Sequence, residues 1–576
     1  MRSCLFTHLV LSTLFAALFA TTPLHAQPYT LGPDSQPQAG VPKGTVTKFR
    51  LAPGKLYPGT PHDCSLYVPA HYDASKPAPF MIFLDGNGLL GDGVRVPVVF
   101  DNLIARQDLP PMIGIFVDPG TLPTVLEGAQ NRFERVFEYD SLSDRFSRFL
   151  VEELIPEVSR RYNLSKDPND RGLYGQSTGA VGAFAAAWNR PDQFRRVLSL
   201  IGTYVAMKGA DGLPALVRKT EAKPIRFFLQ AGRQDHIAPG QPYGTFYAGS
   251  WPVNNQVMYE AMQAAGYDSK LVLGDDGHSN KHGASILPDA LRWLWRGYPN
   301  PILAREPEAL GQPGWDPRGK ASSIVSPARG WELVAAGSGA LSSPAGDAEG
   351  NVFFADSSAG RIYKSNAEGK TAVLEEKSGG ARALAVKPDG TLLAKAADGI
   401  AITAQGAVYF TDAERQNISY TGADGKTRVV YHGGEIARPT ALALSPDQAM
   451  LVVTDAQARF SWSFQIASDG GLANGEPFYR LEMPEEGWMS GVTGVVEDSV
   501  GQVYFATAAG IQVCEANGRV AAILNPPEPG QVTSIAFGGK DLNWLYVTEG
   551  AKLFRRPVKG KGVGAWTPAK LPKPPL

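Results

Sequence analysis

Gly172-Leu-Tyr-Gly-Gln-Ser-Thr-Gly-Ala180 is the stretch that decides the fold of the first half of this chain. At its centre, Gly175 to Gly179 spell the pattern G-x-S-x-G, with a short apolar run before it and an Ala-rich run to Trp188 after it. A strand, a sharp turn and a helix in this order expose the serine as a nucleophile. We expect both glycines to be necessary, because a Cβ in so tight a turn would collide with the neighbouring strand or helix. Taken alone, the pentapeptide is equally compatible with a glycine-serine turn without chemistry, since 63 of the 576 residues are glycine.

Residues 45–298 around this stretch alternate apolar strand-like runs with helical patterns. This alternation is typical of an α/β fold with a mostly parallel sheet and crossover helices. A helical stretch that starts at Asp140 has one apolar face and carries Pro156, which should kink or divide it. The predicted strands are Pro79–Leu84, Met112–Val117, Gly172–Tyr174, Val197–Ile201, Ile225–Gln230 and Lys270–Leu273.

The pattern changes after residue 298. Residues 299–328 are rich in Pro and Gly and predict an interdomain linker. Within residues 329–570, a turn with Gly or Asp followed by a short alternating strand recurs, mostly at intervals near forty residues, the length of a four-stranded propeller blade. The interval from Gly390 to Gly406 is much shorter, so we predict an all-β propeller of about six blades with one truncated. The copies are residues 347–356, 387–393, 405–412, 445–455, 499–507 and 541–548.

The composition and the first residues restrict the possible partners and the cellular compartment of the protein. The formal net charge is −1 and no long block of like charge occurs, so we expect neither nucleic acid nor a membrane surface as a partner. Met1–Ala26 is typical of a secretory signal peptide, with Arg2 as its basic start and Leu9–Ala20 as its apolar segment. The mature protein is then periplasmic or secreted. A retained N-terminal anchor is the alternative, although the apolar run is short for a membrane span.

A serine nucleophile needs a base within reach and an acid that orients the base. On the α/β-hydrolase plan, the acid follows a later strand and the base follows the last strand. Asp235 and His278 occupy these two places in the sequence, each just after a predicted strand, where such sheets carry their functional groups. His236 and His282 compete with His278, which we favour because it alone directly follows the glycine-bearing turn after its strand.

Hydrogen-bond donors for the developing oxyanion should be backbone N–H groups beside the serine. We predict the N–H of Thr178 and one from the loop after the first core strand, at Gly86 or Asn87. A glycine in that loop would let the backbone approach closely. The pair Asp85-Gly86 is also compatible with an ordinary turn.

The first half resembles the enterochelin-esterase-like esterases, a group that includes feruloyl and acetylxylan esterases. The resemblance spans about residues 45–298. It implies Ser177 as nucleophile, Asp235 as acid and His278 as base, and it suggests that Trp251, Asn254, Asn255 and Met258 line the site. Ala180 is a departure, since many relatives have Gly there. The motifs that carry the resemblance are Tyr67–Pro79, Leu84-Asp-Gly86, Glu138-Tyr-Asp140, Gly175–Gly179 and Gly277-His278.

The repeats resemble the gluconolactonase, or senescence-marker-protein, propellers, which hold a divalent cation near the axis with Glu, Asn and Asp. This chain has Ser342-Ser-Pro344, Pro439-Thr-Ala-Leu442 and Val492-Thr493-Gly494 at the matching positions. With the three ligands gone, no charge balances a cation, so we expect neither a metal nor another cofactor and no lactonase activity in the propeller.

The sequence therefore favours an exported serine esterase with a non-catalytic propeller behind it. The substrate would be a small-molecule or polysaccharide ester, with carbohydrate-linked acetyl or hydroxycinnamoyl groups favoured and a siderophore ester as another option. Two alternatives stay open: a sugar lactonase centred on the propeller, and a binding protein without catalysis.

Overall fold

The structure, a computed structural model, describes residues 29–236, 245–246, 248–305, 320–487 and 489–572. The predicted signal peptide, residues 1–26, lies outside the described residues, as do residues 306–319 of the predicted linker. Within the described part of the chain, no helix is both long and apolar enough to cross a bilayer.

The N-terminal part is built on one mixed sheet of eight strands in the order β1-β2-β4-β3-β7-β8-β9-β12. The strands from β4 to β12 in this order are parallel, and β1 and β2 run antiparallel at one edge. The strands are β1 (Thr45–Leu51), β2 (His62–Val68), β3 (Phe80–Leu84), β4 (Ile113–Val117), β5 (Thr121–Leu122), β6 (Arg132–Phe133), β7 (Arg171–Gln176), β8 (Arg196–Leu200), β9 (Arg226–Gly232), β10 (Thr245–Phe246), β11 (Gly249–Ser250) and β12 (Asp268–Gly274).

All six predicted strands of this part are present, with bounds shifted by a few residues. The hairpin β1–β2 was not predicted, because most of the β1 side chains are exposed and give no apolar run. The helices cover both faces of the sheet and bury two apolar clusters against it. They are α1 (Val96–Ala105), α2 (Arg135–Tyr139), α3 (Arg145–Arg148), α4 (Ile155–Ser159), α5 (Thr178–Asn189), α6 (Leu213–Lys219), α7 (Trp251–Ala264) and α8 (Asn280–Trp295).

The helical stretch with Pro156 is divided, as predicted. A π-helical turn, Phe149–Leu154, separates α3 from α4, and Pro156 lies in the first turn of α4. A proline lacks the N–H for the usual helical bond and its ring crowds the preceding turn, so the wider turn accommodates it.

The C-terminal part is a closed β-propeller. Five of its sheets have four strands and one, β18–β19, has two, which agrees with the predicted truncated blade near Gly390. The innermost strands β14, β18, β20, β24, β28 and β32 contact one another in this order, and β32 contacts β14. The last sheet is completed by β13, which pairs with β34.

The C-terminal part begins with a short helix, α9 (Ala321–Ile324), which packs against the last two blades. The strands are β13 (Glu332–Ala336), β14 (Leu341–Gly346), β15 (Val352–Asp356), β16 (Arg361–Ser365), β17 (Thr371–Glu375), β18 (Ala383–Val386), β19 (Leu392–Lys395), β20 (Ile400–Ile402), β21 (Val408–Asp412), β22 (Asn417–Thr421), β23 (Thr427–His432), β24 (Pro439–Leu444), β25 (Met450–Asp455), β26 (Phe460–Ile466), β27 (Leu472–Arg480), β28 (Gly494–Glu497), β29 (Val503–Thr507), β30 (Gly510–Cys514), β31 (Val520–Leu524), β32 (Ser534–Gly538), β33 (Trp544–Glu549) and β34 (Lys552–Pro557).

The two parts are in contact, a point on which the sequence was silent. The Arg556 guanidinium of β34 makes two hydrogen bonds, 2.8 and 2.6 Å long, to the Glu221 carboxylate of the N-terminal part. Both side chains are buried. Beside this pair, the Glu221 N–H donates to the carbonyl oxygen of Ile523, and Leu216 packs against the propeller core. The interface therefore includes a buried ion pair, backbone hydrogen bonds and an apolar contact.

Candidate active site

Ser177 lies between the end of β7 and the first residue of α5, as the elbow pattern predicts. Its backbone has φ 56° and ψ −124°, a conformation that a non-glycine residue rarely adopts. The Ser177 N–H donates to the carbonyl oxygen of Leu200 at 3.0 Å, which ties the turn to the neighbouring strand β8. Backbone strain of this kind persists only where the surroundings enforce it, and it is common at functional sites.

The two glycines of the elbow are not equally constrained. A Cβ on Gly175 would lie 1.9 Å from the carbonyl oxygen of Gly179, a distance that no packing adjustment relieves. A Cβ on Gly179 would meet Asp85 Oδ2 at 3.3 Å and Leu84 Cβ at 3.6 Å. The expectation that both glycines are strictly necessary is therefore corrected: the elbow requires Gly175 and leaves room near Gly179.

Gly175→Ala should destabilise the elbow much more than Gly179→Ala. The first change forces a Cβ into a backbone carbonyl, whereas the second asks only the Asp85 carboxylate to move by a few tenths of an ångström. Steric strain in a packed core typically costs about 1–3 kcal/mol, and we expect Gly175→Ala at or above this range. Chemical unfolding of the two variants, measured beside wild type, checks this, and equal losses would contradict it.

Ser177, His278 and Asp235 form a hydrogen-bonded series. Ser177 Oγ is 2.9 Å from His278 Nε2, and His278 Nδ1 is 2.8 and 3.0 Å from the two Asp235 oxygens. Asp235 is fully buried and His278 is partly exposed. Because an ionised carboxylate only accepts hydrogen bonds, Nδ1 carries the proton, and Nε2 is left with the lone pair that faces the serine hydroxyl.

The competing histidines do not reach Ser177. The His236 ring lies against the His278 ring, inclined by 32° with the centroids 4.4 Å apart, and its centroid is 4.6 Å from that of the Trp251 ring. Burial and the nearby His278 lower the pKa of His236, which favours its neutral form. His282 is buried, hydrogen-bonds Gln230 through Nδ1 at 2.9 Å and stacks on Tyr29. The geometry thus selects His278.

Asp235, His236 and His278 are also close enough together to be considered as metal ligands, and they are the one group of three such residues found in the described ranges. The two imidazole rings are inclined by 32° and face each other. Both ring nitrogens of His278 are already engaged, Nδ1 with Asp235 and Nε2 with Ser177 Oγ. The donor set fits a hydrogen-bonded triad better than a metal site.

The oxyanion predictions have different outcomes. Thr178 is the first residue of α5, so its N–H belongs to the helix end whose donors have no partner within the helix. Gly86 packs against β4, where a Cβ would lie 2.6 Å from Phe116 Cα. The N–H of Asn87 donates to Asp118 Oδ1 at 2.9 Å and its side-chain amide to Asp118 Oδ2 at 2.8 Å. The prediction for Asn87 is corrected, because its donors are already engaged, while Thr178 and Gly86 stay predictions.

Arg135, at the start of α2, is a site residue that the sequence reasoning missed. Its guanidinium binds both oxygens of Asp85 at 2.7 Å and donates to the Thr178 hydroxyl. The positive charge of Arg135 therefore lies beside Thr178, the residue after the nucleophile. This is the N-terminal end of α5, where the helix dipole is also positive. Its position three residues before the motif Glu138-Tyr-Asp140 was the signal that could have identified it.

The residues suggested as substrate contacts mostly have structural roles. Met258 is fully buried in the apolar core, and Asn255 is fully buried and donates to the Gly202 carbonyl at 2.7 Å. Both predictions are corrected, because neither side chain is exposed to a substrate. Asn254 is half-buried and donates to the Tyr204 carbonyl at 2.8 Å. Trp251 alone of the four contacts the triad region, through the rings of His236 and His278.

The propeller axis carries hydroxyl side chains where the resemblance expects charged ligands. Ser342 Oγ donates to the carbonyl oxygen of Arg382 at 3.4 Å, and Thr440 Oγ1 lies 2.8 Å from Thr454 Oγ1. Thr493 Oγ1 is buried, with no hydrogen-bond partner among the described residues. Hard divalent cations are usually held by carboxylates and carbonyls, so these neutral groups are a poor ligand set.

Residues 57–300 match the family model described as "Putative esterase". The chain carries an esterase domain. Residues 411–551 match the model described as "SMP-30/Gluconolactonase/LRE-like region", so the esterase domain is followed by a gluconolactonase-like propeller. The family of the first match supports a carboxylic ester hydrolase.

Two curated relatives align with the esterase domain. The iron(III) enterobactin esterase of Dickeya dadantii is 26% identical over 248 residues, which are 40% of this chain and 51% of the relative, so this chain spans about half the length of that protein. The uncharacterised protein YbbA of Bacillus subtilis is 22% identical over 250 residues, 40% of this chain and 91% of the relative. Among solved structures, a gluconolactonase from Xanthomonas campestris is similar to the propeller, with 16% identity, a TM-score of 0.36, and coverage of 41% of this chain and 92% of that one.

Proposed function

We propose that this chain is an exported serine esterase that hydrolyses carboxylic esters through an acyl-enzyme on Ser177. The observation that carries the proposal is the series of hydrogen bonds from Asp235 through His278 to Ser177 Oγ. The family match of residues 57–300 supports the same class of reaction. Export to the periplasm or the medium rests on the predicted signal peptide.

In the proposed mechanism each group has one role. His278 Nε2 accepts the proton of Ser177 as Oγ attacks the ester carbonyl, and Asp235 stabilises the resulting imidazolium. The oxyanion meets the N–H of Thr178 at the positive end of α5. Nε2–H then protonates the departing alcohol, and a water molecule, deprotonated by the same histidine, releases the acid and regenerates Ser177.

For the substrate, we favour esters of carbohydrates with acetyl or hydroxycinnamoyl groups. Export supports this preference, because such esters are found outside the cell. A siderophore ester is the other candidate, since the Dickeya dadantii relative carries the name iron(III) enterobactin esterase.

The decisive experiment is active-site titration of the full chain with p-nitrophenyl acetate. A burst of one p-nitrophenol per chain, with the acetyl group found on the peptide that contains Ser177, is the expected result. Acylation of any other residue would overturn the mechanism. Turnover of methyl ferulate, acetylated xylan and enterobactin by the same preparation then ranks the substrate classes.

A sugar lactonase centred on the propeller is a second candidate, which the family match of residues 411–551 favours. We expect no tight cation binding there, because Ser342, Thr440 and Thr493 offer hydroxyls in place of charged ligands. Isothermal titration of the full chain with calcium, zinc and manganese, beside Ser342→Glu as a variant with one restored carboxylate, checks this. Binding tighter than millimolar by the wild type, with metal-dependent hydrolysis of gluconolactone, would establish the lactonase instead.

A further inference from the structure

Ser177 Oγ has a second side-chain partner besides His278. Thr203, in the loop after β8, places its Oγ1 3.2 Å from Ser177 Oγ. The same Thr203 oxygen is 3.3 Å from Nε1 of Trp251, the first residue of α7. Thr203 and Trp251 are both buried, at 2% and 3% exposure, so water does not compete for these bonds.

The direction of each hydrogen bond follows from the chemistry of the groups. The indole Nε1–H of Trp251 is a donor only, so Thr203 Oγ1 accepts from it. The Ser177 hydroxyl donates to His278 Nε2, which has the lone pair because Nδ1–H faces Asp235. The remaining proton in this series belongs to Thr203, and among the described residues Ser177 Oγ is the acceptor that it reaches.

We propose that Thr203 is a further catalytic residue of the esterase, whose hydroxyl donates a hydrogen bond to the attacking oxygen of Ser177. This inference rests on the proposed acyl-enzyme mechanism. As Ser177 transfers its proton to His278, negative charge develops on Oγ, and a hydrogen bond to a charged oxygen is about twice as strong as one to a neutral oxygen. The Thr203 proton stays on Thr203 throughout.

The hydrogen bond from Thr203 should increase the rates at which the acyl-enzyme forms and breaks down, and it should affect substrate binding much less. In the acyl-enzyme, Oγ is an ester oxygen and a weak acceptor. When the acyl group leaves, Oγ regains charge and the bond strengthens again. Trp251 is a positioning residue in this scheme, because its N–H occupies the Thr203 lone pair and turns the Thr203 proton toward the serine.

A purely structural role for Thr203 makes a different prediction. The Thr203 N–H donates to the carbonyl oxygen of Ser177 at 3.2 Å, and this backbone bond also holds the loop against the elbow. It is present whatever side chain stands at position 203. Replacing the side chain therefore separates the effect of the hydroxyl from that of the loop.

The test compares Thr203→Val, which keeps the shape and loses the hydroxyl, with Thr203→Ser, which keeps the hydroxyl. The rate constant of the acylation burst should fall about 10- to 100-fold in Thr203→Val, the range for losing a hydrogen bond to a charged group. KM should change less than the rate constant. Thr203→Ser should restore most of the rate.

Two further variants control for packing. Ser199→Ala removes another buried hydroxyl next to this loop, one that bonds Tyr204 at 2.8 Å and not Ser177, and it should leave the burst rate as in wild type. The double variant Thr203→Val/Trp251→Phe removes both partners of the bond between Thr203 and the indole N–H. It should be as slow as Thr203→Val, because the hydroxyl that donates to Ser177 is missing from both.

An acylation rate of Thr203→Val within about threefold of wild type would overturn the proposal, as would an equal loss in Thr203→Ser. Failure of the acyl-enzyme mechanism itself looks different, because no burst would then be traced to Ser177 in the wild type. Reaction of Ser177 with a fluorophosphonate, followed by mass, gives the same comparison without an ester substrate.

Discussion

Ser177→Ala should lower kcat/KM for ester hydrolysis by about 10⁴-fold or more, the scale of effect seen when a triad nucleophile is removed. Oγ is the atom that faces His278 Nε2, and Ser177 lies directly before the first residue of α5. The remaining groups can still bind and polarise an ester, so a small residual rate is expected.

The control for this variant is the protein's fold. Alanine at position 177 has the same strained backbone as serine, and the elbow is held by the backbone hydrogen bonds of residue 177, which the change leaves in place. Unfolding by denaturant should therefore stay close to wild type, and the variant should show no burst. If Ser177→Ala keeps more than about a tenth of the ester activity, catalysis takes place elsewhere in the chain.

Arg556→Met should lower the stability of the whole chain by about 3–5 kcal/mol, the usual result of leaving one member of a buried ion pair without its partner. Arg556 is 3% exposed and Glu221 is 7% exposed, so water cannot replace the lost guanidinium. Among the described residues, the Glu221 carboxylate would keep the N–H of Asn525, at 3.1 Å, as a hydrogen-bond donor and Lys223 as a nearby positive charge. Chemical unfolding followed by tryptophan fluorescence measures the loss.

Two comparisons make this result specific. The double variant Glu221→Gln/Arg556→Met removes the stranded charge and should recover a large part of the stability. Lys552 lies on the same strand β34 as Arg556 and forms an exposed ion pair with Glu528. Lys552→Met removes this pair and should lower the free energy of unfolding by at most about 1 kcal/mol. If Arg556→Met is no worse than Lys552→Met, the interface between the two parts does not depend on this pair.

The catalytic series was accessible from the sequence because each member directly follows a strand. The carboxyl ends of neighbouring parallel strands meet at one edge, so Ser177, Asp235 and His278 had to come together once the strands were identified. Thr203 follows the strand β8 in the same way, and this signal was overlooked. His278 is favoured over His236 and His282 from the sequence, and its hydrogen bonds to Asp235 and Ser177 give the structural reason for that choice.

The errors on α7 have a simple origin. Trp251, Asn255, Met258 and Met262 are spaced by four, three and four residues, which places them on one face of a helix. In the structure this face is buried. Helical periodicity therefore predicts a structural role for Asn255 and Met258, and the resemblance alone suggested the opposite.

The contact between the two parts was beyond the reach of sequence reasoning. Glu221 and Arg556 are 335 residues apart, and each is a single charged residue in an unremarkable context. A charged residue that stands alone in sequence is most often solvated. Only the arrangement of the two parts in space makes these two groups neighbours.

The closure of the propeller by β13 and β34 has a consequence for biosynthesis. The esterase domain leaves the ribosome first and can fold while the blades are still being made, since domains generally fold as units in the order of synthesis. β13 must wait with unpaired backbone groups until β34 emerges, more than two hundred residues later. The same strand delivers Arg556 to Glu221. Closure of the propeller ring and docking onto the esterase domain are thus completed by a single late segment. A chain truncated before Lys552 would lose both the pairing with β13 and the ion pair with Glu221.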